Sequence, residues 1–462
     1  MSTEAEKILL QDEFEELIAS ADENRIHEFL DEQNISDVAD LIYENEDQEA
    51  YILSHLSIHR AAGLFKILEH PTQEKIIQEL APSKTAELLN ELPPDDRTAF
   101  LEDLPNEVVR ELVKTLNSEE RKITLSLLGY PENSVGRLMT PDYVYVHEYN
   151  TVKEVLNIIR QVGKNSETID VIYVINDKGE LQDDIRIREF ILADPQTRVS
   201  ELMDGRVISL NVNDDQEVAN DIFKMNNRVA LPVTSETGKL LGIVTIDDVL
   251  WVASEEFTED IQRIGGTEAL EQPYLEMPLF QLYKKRIIWL FILFIGGLMT
   301  ISAMHYFEDM IAKVTLLASF IPIIIASGGN TGSQAATLII QAMALGEITL
   351  EDWWKIIRRE IVSGLLLGGT LALLGITIIF VWHFFSDVFG VYYLSIAFTI
   401  GLSILGVVLW GTLIGSMLPL ILKRLGADPA ASSTPFVATL VDVTGLIIYF
   451  SVAVLVLSGK LL

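Results

Sequence analysis

The sequence predicts a multidomain protein: an all-α superhelical repeat domain, an α/β tandem pair, and an all-α membrane domain of five helices. Three observations predict it. Leucines recur every 12 residues between 56 and 128, strand and helix patterns alternate in two successive copies, and five long apolar segments follow. The predicted boundaries are 1–130 for the repeat domain, 131–253 for the pair, 254–282 for a connecting helix and linker, and 283–462 for the membrane domain.

The repeat predicts a row of short stacked helices. Each unit has apolar residues at its leucine and at three and four positions before it, which lie on one helix face, and only Thr124 breaks this pattern. Prolines such as Pro82 and Pro105 mark turns between units. Helices of this kind bury their faces against neighbours, as in solenoids. The recurring residues are Leu56, Leu68, Leu80, Leu92, Leu104, Leu116 and Leu128.

The charge is confined to the region before the membrane domain. The net charge of −33 divides into −32 for residues 1–285 and −1 for the remainder. An acidic surface disfavours nucleic acid as a partner and suits either a solvated face or a region that collects divalent cations. The chain has no cysteine, which excludes disulfides and thiolate metal sites. Its first residues, "MSTEAEKILLQDEFEEL", lack the basic and apolar parts of a signal peptide, so we expect a cytosolic N-terminus.

Five segments are long and apolar enough to span a bilayer. The basic loops "YKKR", "WWKIIRRE" and "LKRLG" belong on the cytoplasmic side, whereas "HYFEDMIAK" and "SDVFGV" are poor in basic residues. All loops agree with a cytosolic N-terminus and a C-terminus outside. The predicted spans are Ile287–Phe307, Val314–Gly346, Ile361–Ser386, Tyr392–Leu422 and Pro429–Gly459.

The α/β pair carries the pieces "GRLMT", "ELMD" and "VALPVT…GKLLGIVTIDDVL". These pieces resemble a tandem pair of CBS domains, which form α/β modules that sense nucleotides or ions. The first copy departs from that family, because "LQDDIRIREF" stands where a glycine and a Ser or Thr are usual. The resemblance implies ATP as the candidate nucleotide, with Tyr173, Arg188 and Thr245 as the residues that could line its site, against the alternative that both copies are scaffolding.

Two polar stretches lie within the apolar membrane domain, "SGGNTGSQAAT" at 327–337 and "TPFVATLVDVTG" at 434–445. Together with the 12-residue repeats, the CBS pair, the acidic helix "ASEEFTEDIQRIGG" and the five spans, they resemble the bacterial MgtE family of magnesium channels. The resemblance implies a homodimer in the bacterial cytoplasmic membrane, in contact with lipid. It also implies no enzymatic activity, and Mg²⁺ as both the transported and the regulatory ion.

Asp442 is the one acidic residue in the last predicted span. A charged group at mid-membrane is costly, roughly 2.5–3.5 kcal/mol on insertion scales, so we interpret it as a cation site that faces water. Thr434, Ala438 and Asp442 are four apart and share a helix face. Mg²⁺ prefers oxygen ligands and keeps its water, so hydroxyls, amides and backbone carbonyls suit the wall of its path. Backbone that is either non-helical or polar is tolerated at membrane depth where it lines water or is buried in protein. The pore residues that the resemblance implies are Gly329, Asn330, Ser333, Thr337, Thr434, Ala438 and Asp442.

At two of these positions the chain departs from the family, which often has asparagine where Ser333 and Thr434 stand. Selectivity or pore width is expected to differ there.

Acidic residues before the membrane domain are candidate sensors. With little magnesium they repel each other; with abundant magnesium, bridging ions draw the domains together and the connecting helices close the pore. The candidates are Glu91, Asp95, Asp96, Asp214, Asp215, Asp247, Asp248, Glu255, Glu256, Glu259 and Asp260.

Three alternatives remain at this point. The cargo could be Co²⁺, Ni²⁺ or Mn²⁺, although oxygen-only groups favour a hard cation. The chain could be a nucleotide sensor at the membrane without transport. A membrane-anchored enzyme is disfavoured, because the sequence has no visible nucleophile–base pair, P-loop or metal-binding histidine motif.

Overall fold

The computed structural model describes residues 4–20, 22–45, 47–270, 274–275 and 277–459. The chain divides into two compact units, Met1–Glu255 and Glu256–Leu462. Each unit is described separately below.

The first unit begins with a row of short helices. Pro82 and Pro94 occupy the first positions of two of them, where a proline loses no helical hydrogen bond. The helices are α1 Glu4–Ser20, α2 Glu23–Glu32, α3 Ile35–Glu44, α4 Glu49–Ser54, α5 Ile58–Phe65, α6 His70–Glu79, α7 Pro82–Glu91, α8 Pro94–Glu102, α9 Asn106–Thr115 and α10 Ser118–Leu127.

The predicted 12-residue pattern describes the core of α4 to α9. The leucines from Leu56 to Leu116 are buried together with their apolar partners in one continuous cluster. The pattern fails in the last unit, where Leu125 is 55% exposed and Leu127 is buried instead. The reason is a change of neighbour, because Leu127 packs into the core of the α/β pair rather than onto another repeat.

Thr124, the exception in the repeat, lies beside a buried arginine. Arg97 has no exposed surface, and its Nε donates to Thr124 Oγ1 at 2.8 Å. Its other nitrogens donate to the carbonyls of Leu89 and Leu92 and pair with Glu120. A buried guanidinium needs partners for all its donors, so a hydroxyl replaces an apolar side chain here.

The α/β pair follows as two copies of one pattern. Each copy has a three-stranded sheet whose first strand is parallel to the second and whose third is antiparallel to it. The elements are α11 Val135–Leu138, β1 Tyr145–Val146, α12 Val152–Val162, β2 Val171–Ile175, β3 Leu181–Arg186, α13 Ile187–Leu192, α14 Val199–Leu202, β4 Leu210–Asn211, α15 Gln216–Asn226, β5 Ala230–Thr234, β6 Leu240–Thr245 and α16 Ile246–Ile264.

The two copies share an apolar core between their sheets. Val171 and Tyr173 of β2 pack with Ala230, Leu240 and Ile243 of the second copy. A backbone pair between Thr140 and Ile243 joins the copies as well. The predicted tandem α/β pair is therefore confirmed.

The second unit holds the end of α16 and the apolar helices. Five helices in the described part of the chain are long and apolar enough to cross a membrane, which confirms the predicted number. Short 3₁₀ turns precede three of them, at Leu350–Asp352, Asp387–Tyr392 and Pro429–Ala431. The helices are α17 Leu279–Tyr306, α18 Glu308–Lys313, α19 Thr315–Ala344, α20 Trp353–Phe385, α21 Tyr393–Arg424 and α22 Thr434–Leu457.

The stretch "SGGNTGSQAAT" is helical throughout. Residues 327–337 lie inside α19 without a break. Of the two forms that the sequence allowed, non-helical or polar, the structure has the polar helix. Two of its glycines, Gly328 and Gly332, allow the close approach of α21.

Glycines let α19 and α21 cross with their backbones in contact. Gly328 and Gly332 of α19 face Gly411 and Gly415 of α21, each pair four residues apart. A methyl group added to Gly411 would lie 2.5 Å from the Gly328 carbonyl oxygen, and one on Gly415 would overlap Gly332. Small residues permit this close approach of membrane helices.

We expect Gly415→Ala to destabilise the membrane domain, because the added methyl would collide with backbone rather than with a flexible side chain. Overpacking of this kind costs roughly 1–3 kcal/mol. The midpoint of thermal unfolding in detergent should fall. Gly297→Ala is the matched control, because its added methyl meets nothing within 4 Å. Equal midpoints for the two variants would contradict the crossing described here.

Candidate functional site

A cavity of about 640 Å³ lies between α19 and the start of α22. Four of the predicted pore residues line it, two from each helix. Ser333 Oγ donates to the Thr434 carbonyl at 3.0 Å, and Thr337 Oγ1 donates to the Ser333 carbonyl at 3.0 Å. The lining residues are Ser333, Gln334, Thr337, Leu338, Thr434, Pro435 and Ala438.

Asp442 lies one turn beyond Ala438 on the same face of α22. The position of a Cβ on Gly329 would be 3.4 Å from Asp442 Oδ1 and 3.5 Å from Ala438 Cβ. The carboxylate is half-buried and lies beside Gly329, which has no side chain. Gly329 thus leaves space beside Asp442, next to Ala438 of the cavity wall.

Asn330 does not line the cavity, although it lies on the same exposed stripe of α19 as Gln334 and Leu338, which do. Asn330, Gln334 and Leu338 are four residues apart, and all three are exposed. The structure therefore brings together six of the seven predicted pore residues and places Asn330 beside them, facing outward.

The end of α16 contacts the cavity lining. Thr434 Oγ1 donates to the Ile264 carbonyl at 3.2 Å. Arg263 pairs with Glu259 on its own helix and with Asp428, which precedes α22. Burial raises the pKa of Asp260 to about 6, and the nearby Asp428 and Glu256 carboxylates add to the effect. The acidic connecting helix thus ends at the start of the helix that carries Asp442.

A second group of predicted residues meets in the first unit. Asp95, Asp96 and Asp248 lie close together, and the neighbouring carboxylates, including that of Asp247, contribute to raising the pKa values of these three groups. Glu167, which the sequence did not suggest, lies with them. The cluster contains one cation, because Lys66 Nζ is 3.4 Å from Asp96 Oδ2. We call these five acids and Lys66 the acidic cluster.

Burial is the main cause of the shifts within the acidic cluster. It raises the pKa of Asp248 to about 7, although a hydrogen bond from Thr245 Oγ1 at 2.7 Å opposes the change. It raises the pKa of Asp95 well above the usual value, with further contributions from Asp248, Asp96 and Glu167. Asp95 is only 5% exposed, and its Oδ1 has no hydrogen-bond partner among the described residues. The site is therefore a concentration of carboxyl groups whose ionised forms are poorly solvated and which a bound cation would stabilise.

Other candidate sensors have local partners. Asp214 accepts from the Asn211 amide at 3.2 Å, and Asp215 caps α15 by accepting from the Glu217 amide at 2.9 Å. Glu91 lies 3.2 Å from the ring of His59. These three side chains close a turn, cap a helix and pair with an exposed histidine.

The candidate nucleotide residues have different environments. Tyr173 has no exposed surface, Arg188 is exposed on α13, and Thr245 binds Asp248. Directly across the strands from Tyr173 lies Asp184, which pairs with Arg228 at 2.5 Å. No aromatic face of Tyr173 is open to a nucleotide in this arrangement.

Within the described residues, no group of three or more His, Asp or Glu side chains is arranged to hold a metal ion directly. The carboxylates of the acidic cluster accordingly lie near one another without converging on a common point. Mg²⁺ commonly retains several waters and contacts few protein ligands, so it needs no closed cage of side chains.

Comparison with known proteins assigns the family. Residues 321–452 match the model of a divalent cation transporter, and 33–133 match the MgtE intracellular N domain. Residues 135–194 and 199–255 match the CBS domain. The magnesium transporter MgtE of Thermus thermophilus is 38% identical over 82% of this chain and 88% of its own length. The chain belongs to the MgtE family.

Two further similarities cover the MgtE architecture. The magnesium transporter MgtE of Bacillus subtilis is 29% identical over 92% of both chains. The solved cytosolic domain of an Mg²⁺ channel MgtE in complex with ATP covers 52% of this chain and 99% of its own, at 34% identity and a TM-score of 0.51. The family and the five apolar helices make this a multi-pass membrane protein of a transporter family.

Several residues at this cavity and at the end of α16 were not identified from the sequence. Leu338 follows Gln334 by four residues, which a helical-face argument could have included. Arg263 follows Glu259 by four, a spacing typical of a helix ion pair. Asp428 lies 165 positions from Arg263, and no local pattern in the sequence connects them.

We expect Gly329→Ala to reduce divalent-cation uptake by about tenfold while the domain stays folded, because the methyl fits at contact distance but fills the space beside the Asp442 carboxylate. Cation-dependent fluorescence in liposomes measures the uptake. Gly369→Ala is the control, since its methyl meets nothing within 4 Å. Normal uptake by Gly329→Ala would separate Gly329 from the ion path.

Proposed function

We propose that this chain conducts Mg²⁺ through a path along α19 and α22, and that Mg²⁺ inside the cell closes it. The main observation in support is Asp442, a half-buried carboxylate in an apolar helix, which lies beside Gly329, where there is no side chain. The relatives named above as magnesium transporters support the choice of ion.

The chemistry of the wall suits a hydrated hard cation. Ser333, Thr337 and Thr434 contribute hydroxyls or carbonyls to the cavity side, and Asp442 contributes the charge. Mg²⁺ dehydrates reluctantly, so a neutral polar wall can contact its waters while the carboxylate attracts the ion.

The exposed face of α19 supports a homodimer. Asn330 and Gln334 are exposed on a helix that crosses the membrane, and polar groups at that depth normally face protein or water. A second copy related by a two-fold axis would cover this face and place a second Asp442 across the path. The pore would then have two like walls and a symmetric pair of carboxylates.

The acidic cluster supports regulation by Mg²⁺. Its carboxylates come from the repeat domain and from both CBS copies, and like charges that are poorly solvated favour separation of those parts. A divalent cation would remove that penalty and favour the closed-up arrangement. By differential affinity it would shift the population of the two states.

ATP is the proposed nucleotide ligand of the CBS pair. The solved relative in complex with ATP supports it. The buried position of Tyr173 means that ring stacking would require the two copies to move apart at their shared core.

The membrane is proposed to be the bacterial cytoplasmic membrane, with the N-terminus in the cytosol and the C-terminus outside. The basic residues near the start of α17, in the first turns of α20 and at the end of α21 support this orientation.

We expect Asp442→Asn to abolish nearly all Mg²⁺ uptake, because the amide keeps the shape of the side chain and removes the charge. Isotope or dye flux into liposomes that contain the purified chain measures it, with competing Co²⁺, Ni²⁺ and Mn²⁺ to test selectivity. Glu360→Gln in α20 is the control, and it should transport normally. Normal flux through Asp442→Asn would refute the pore assignment, and ATP binding without any flux in the wild type would favour a nucleotide sensor.

We expect Asp95→Asn to weaken the response to Mg²⁺, because it removes a buried carboxyl group whose ionised form is poorly solvated without a cation. The metal-free chain should resist proteolysis of its cytosolic part more than the wild type does, and added Mg²⁺ should increase that resistance less. Glu107→Gln, which alters an exposed acid of the same domain, should behave as the wild type. An unchanged response of Asp95→Asn would remove the acidic cluster from the sensing mechanism.

A further inference from the structure

The last turn of α16 is joined to the beginning of the pore helix by several contacts. Thr434, which lines the cavity, donates its hydroxyl to the carbonyl of Ile264. Gly266 has a φ of +78°, and a Cβ on it would lie 2.7 Å from the Trp289 ring. Trp289 Nε1 in turn donates to Ser433 Oγ at 2.9 Å, one residue before α22. The connecting helix therefore ends against the cytoplasmic start of α22.

Arg263 holds the two sides of this junction with separate nitrogens. One nitrogen pairs with Glu259 on α16 and the other with Asp428 Oδ2 in the segment before α22. Asp428 is fixed at its other oxygen, because Oδ1 accepts from the Ala430 amide at 2.8 Å. The guanidinium thus lies between a helix that is proposed to regulate and a helix that is proposed to conduct.

The surroundings favour a cation at this point. Glu256, Glu259, Asp260 and Asp428 bring four carboxylates to the junction. The first three of these, Glu256, Glu259 and Asp260, are among the candidate Mg²⁺ sensors predicted from the sequence. In the structure, the Arg263 guanidinium lies between two of these carboxylates, those of Glu259 and Asp428. Because this cation is a side chain of the protein, it is present at every Mg²⁺ concentration.

We propose that Arg263 is a positioning residue that fastens the end of α16 to the entrance of the path through Asp428, independently of Mg²⁺. The contact of Arg263 with Asp428 favours the closed state at all Mg²⁺ concentrations. Mg²⁺ bound at the other acids therefore has to supply only the remaining free-energy difference between the open and closed states. This inference rests on the proposed function as a regulated Mg²⁺ path. It adds a regulatory contact that contains no metal.

The expected size of the effect is modest, because both partners of Arg263 are about 30% exposed. Ion pairs of this kind contribute up to about 1 kcal/mol, which corresponds to roughly a fivefold change in a two-state equilibrium. We therefore expect Arg263→Gln to raise residual Mg²⁺ flux at inhibitory Mg²⁺ by roughly fivefold. The Mg²⁺ concentration for half-inhibition should rise, and flux at low Mg²⁺ should stay unchanged.

The experiment uses the full-length chain in liposomes, with Mg²⁺-sensitive dye outside and Mg²⁺ set on the cytosolic face. Arg263→Gln, Asp428→Asn and the double variant are compared. The double variant should equal either single variant, because the same contact is lost in all three. Arg424→Gln, at an exposed arginine in the last turn of α21, is the control with the same charge change and should match the wild type.

A charge exchange tests the contact itself and guards against simple misfolding. The Arg263→Asp, Asp428→Arg chain should recover inhibition that Arg263→Asp alone loses, and thermal unfolding in detergent should show all variants folded. Failure of the exchange to recover inhibition, with folded variants, would overturn the proposal.

A second readout is independent of flux. The chain has no cysteine, so Leu338→Cys provides a single thiol in the cavity. Its modification by a charged thiol reagent at inhibitory Mg²⁺ should be faster when Arg263→Gln is also present.

The outcomes distinguish this proposal from the proposed function. Wild-type chains that carry no Mg²⁺ would refute the proposed function. Wild-type chains that are inhibited normally, with an Arg263→Gln curve that coincides with theirs, would refute only the role of Arg263. A lower half-inhibiting concentration in Arg263→Gln would also refute it, because it would mean that the guanidinium competes with Mg²⁺ rather than holding the helix.

Discussion

A carboxylate inside a membrane helix is the constraint on which the arrangement of this protein depends. Insertion of such a group costs roughly 2.5–3.5 kcal/mol, so the protein must provide water, a cation or protein partners for it. Around Asp442 the structure provides a gap at Gly329 and a polar wall that extends to Thr434. Nearby, paired glycines allow α19 and α21 to cross with their backbones in contact.

The same problem of concentrated negative charge recurs outside the membrane, where two groups of acids each contain a basic side chain. Lys66 lies in the acidic cluster of the first unit, and Arg263 lies beside Asp428, just before α22, in the second. Each cation offsets only part of the charge near it. A regulated response to a divalent cation requires that incomplete balance, because fully neutralised acids would gain little from binding an ion.

Local sequence patterns predicted those features that depend on a repeated period. The 12-residue leucine period identified the core of α4 to α9, and the apolar segments identified five membrane helices. The four-residue spacing of Thr434, Ala438 and Asp442 placed them on one face of α22. The period failed at Leu125, because α10 packs on the α/β pair and not on another repeat.

The sequence by itself determined the five apolar helices, the acidic character of the region that precedes them and the residue types that a hard cation needs, because each follows from composition or spacing along the chain. Only the tertiary structure decided which acids meet. Asp214 and Asp215 serve a turn and a helix cap, while Glu167 joins Asp95 and Asp248. It also decided that the polar stretch of α19 stays helical and that Arg263 reaches Asp428. Such contacts join residues far apart in sequence, and their geometry is fixed by the packing of whole helices.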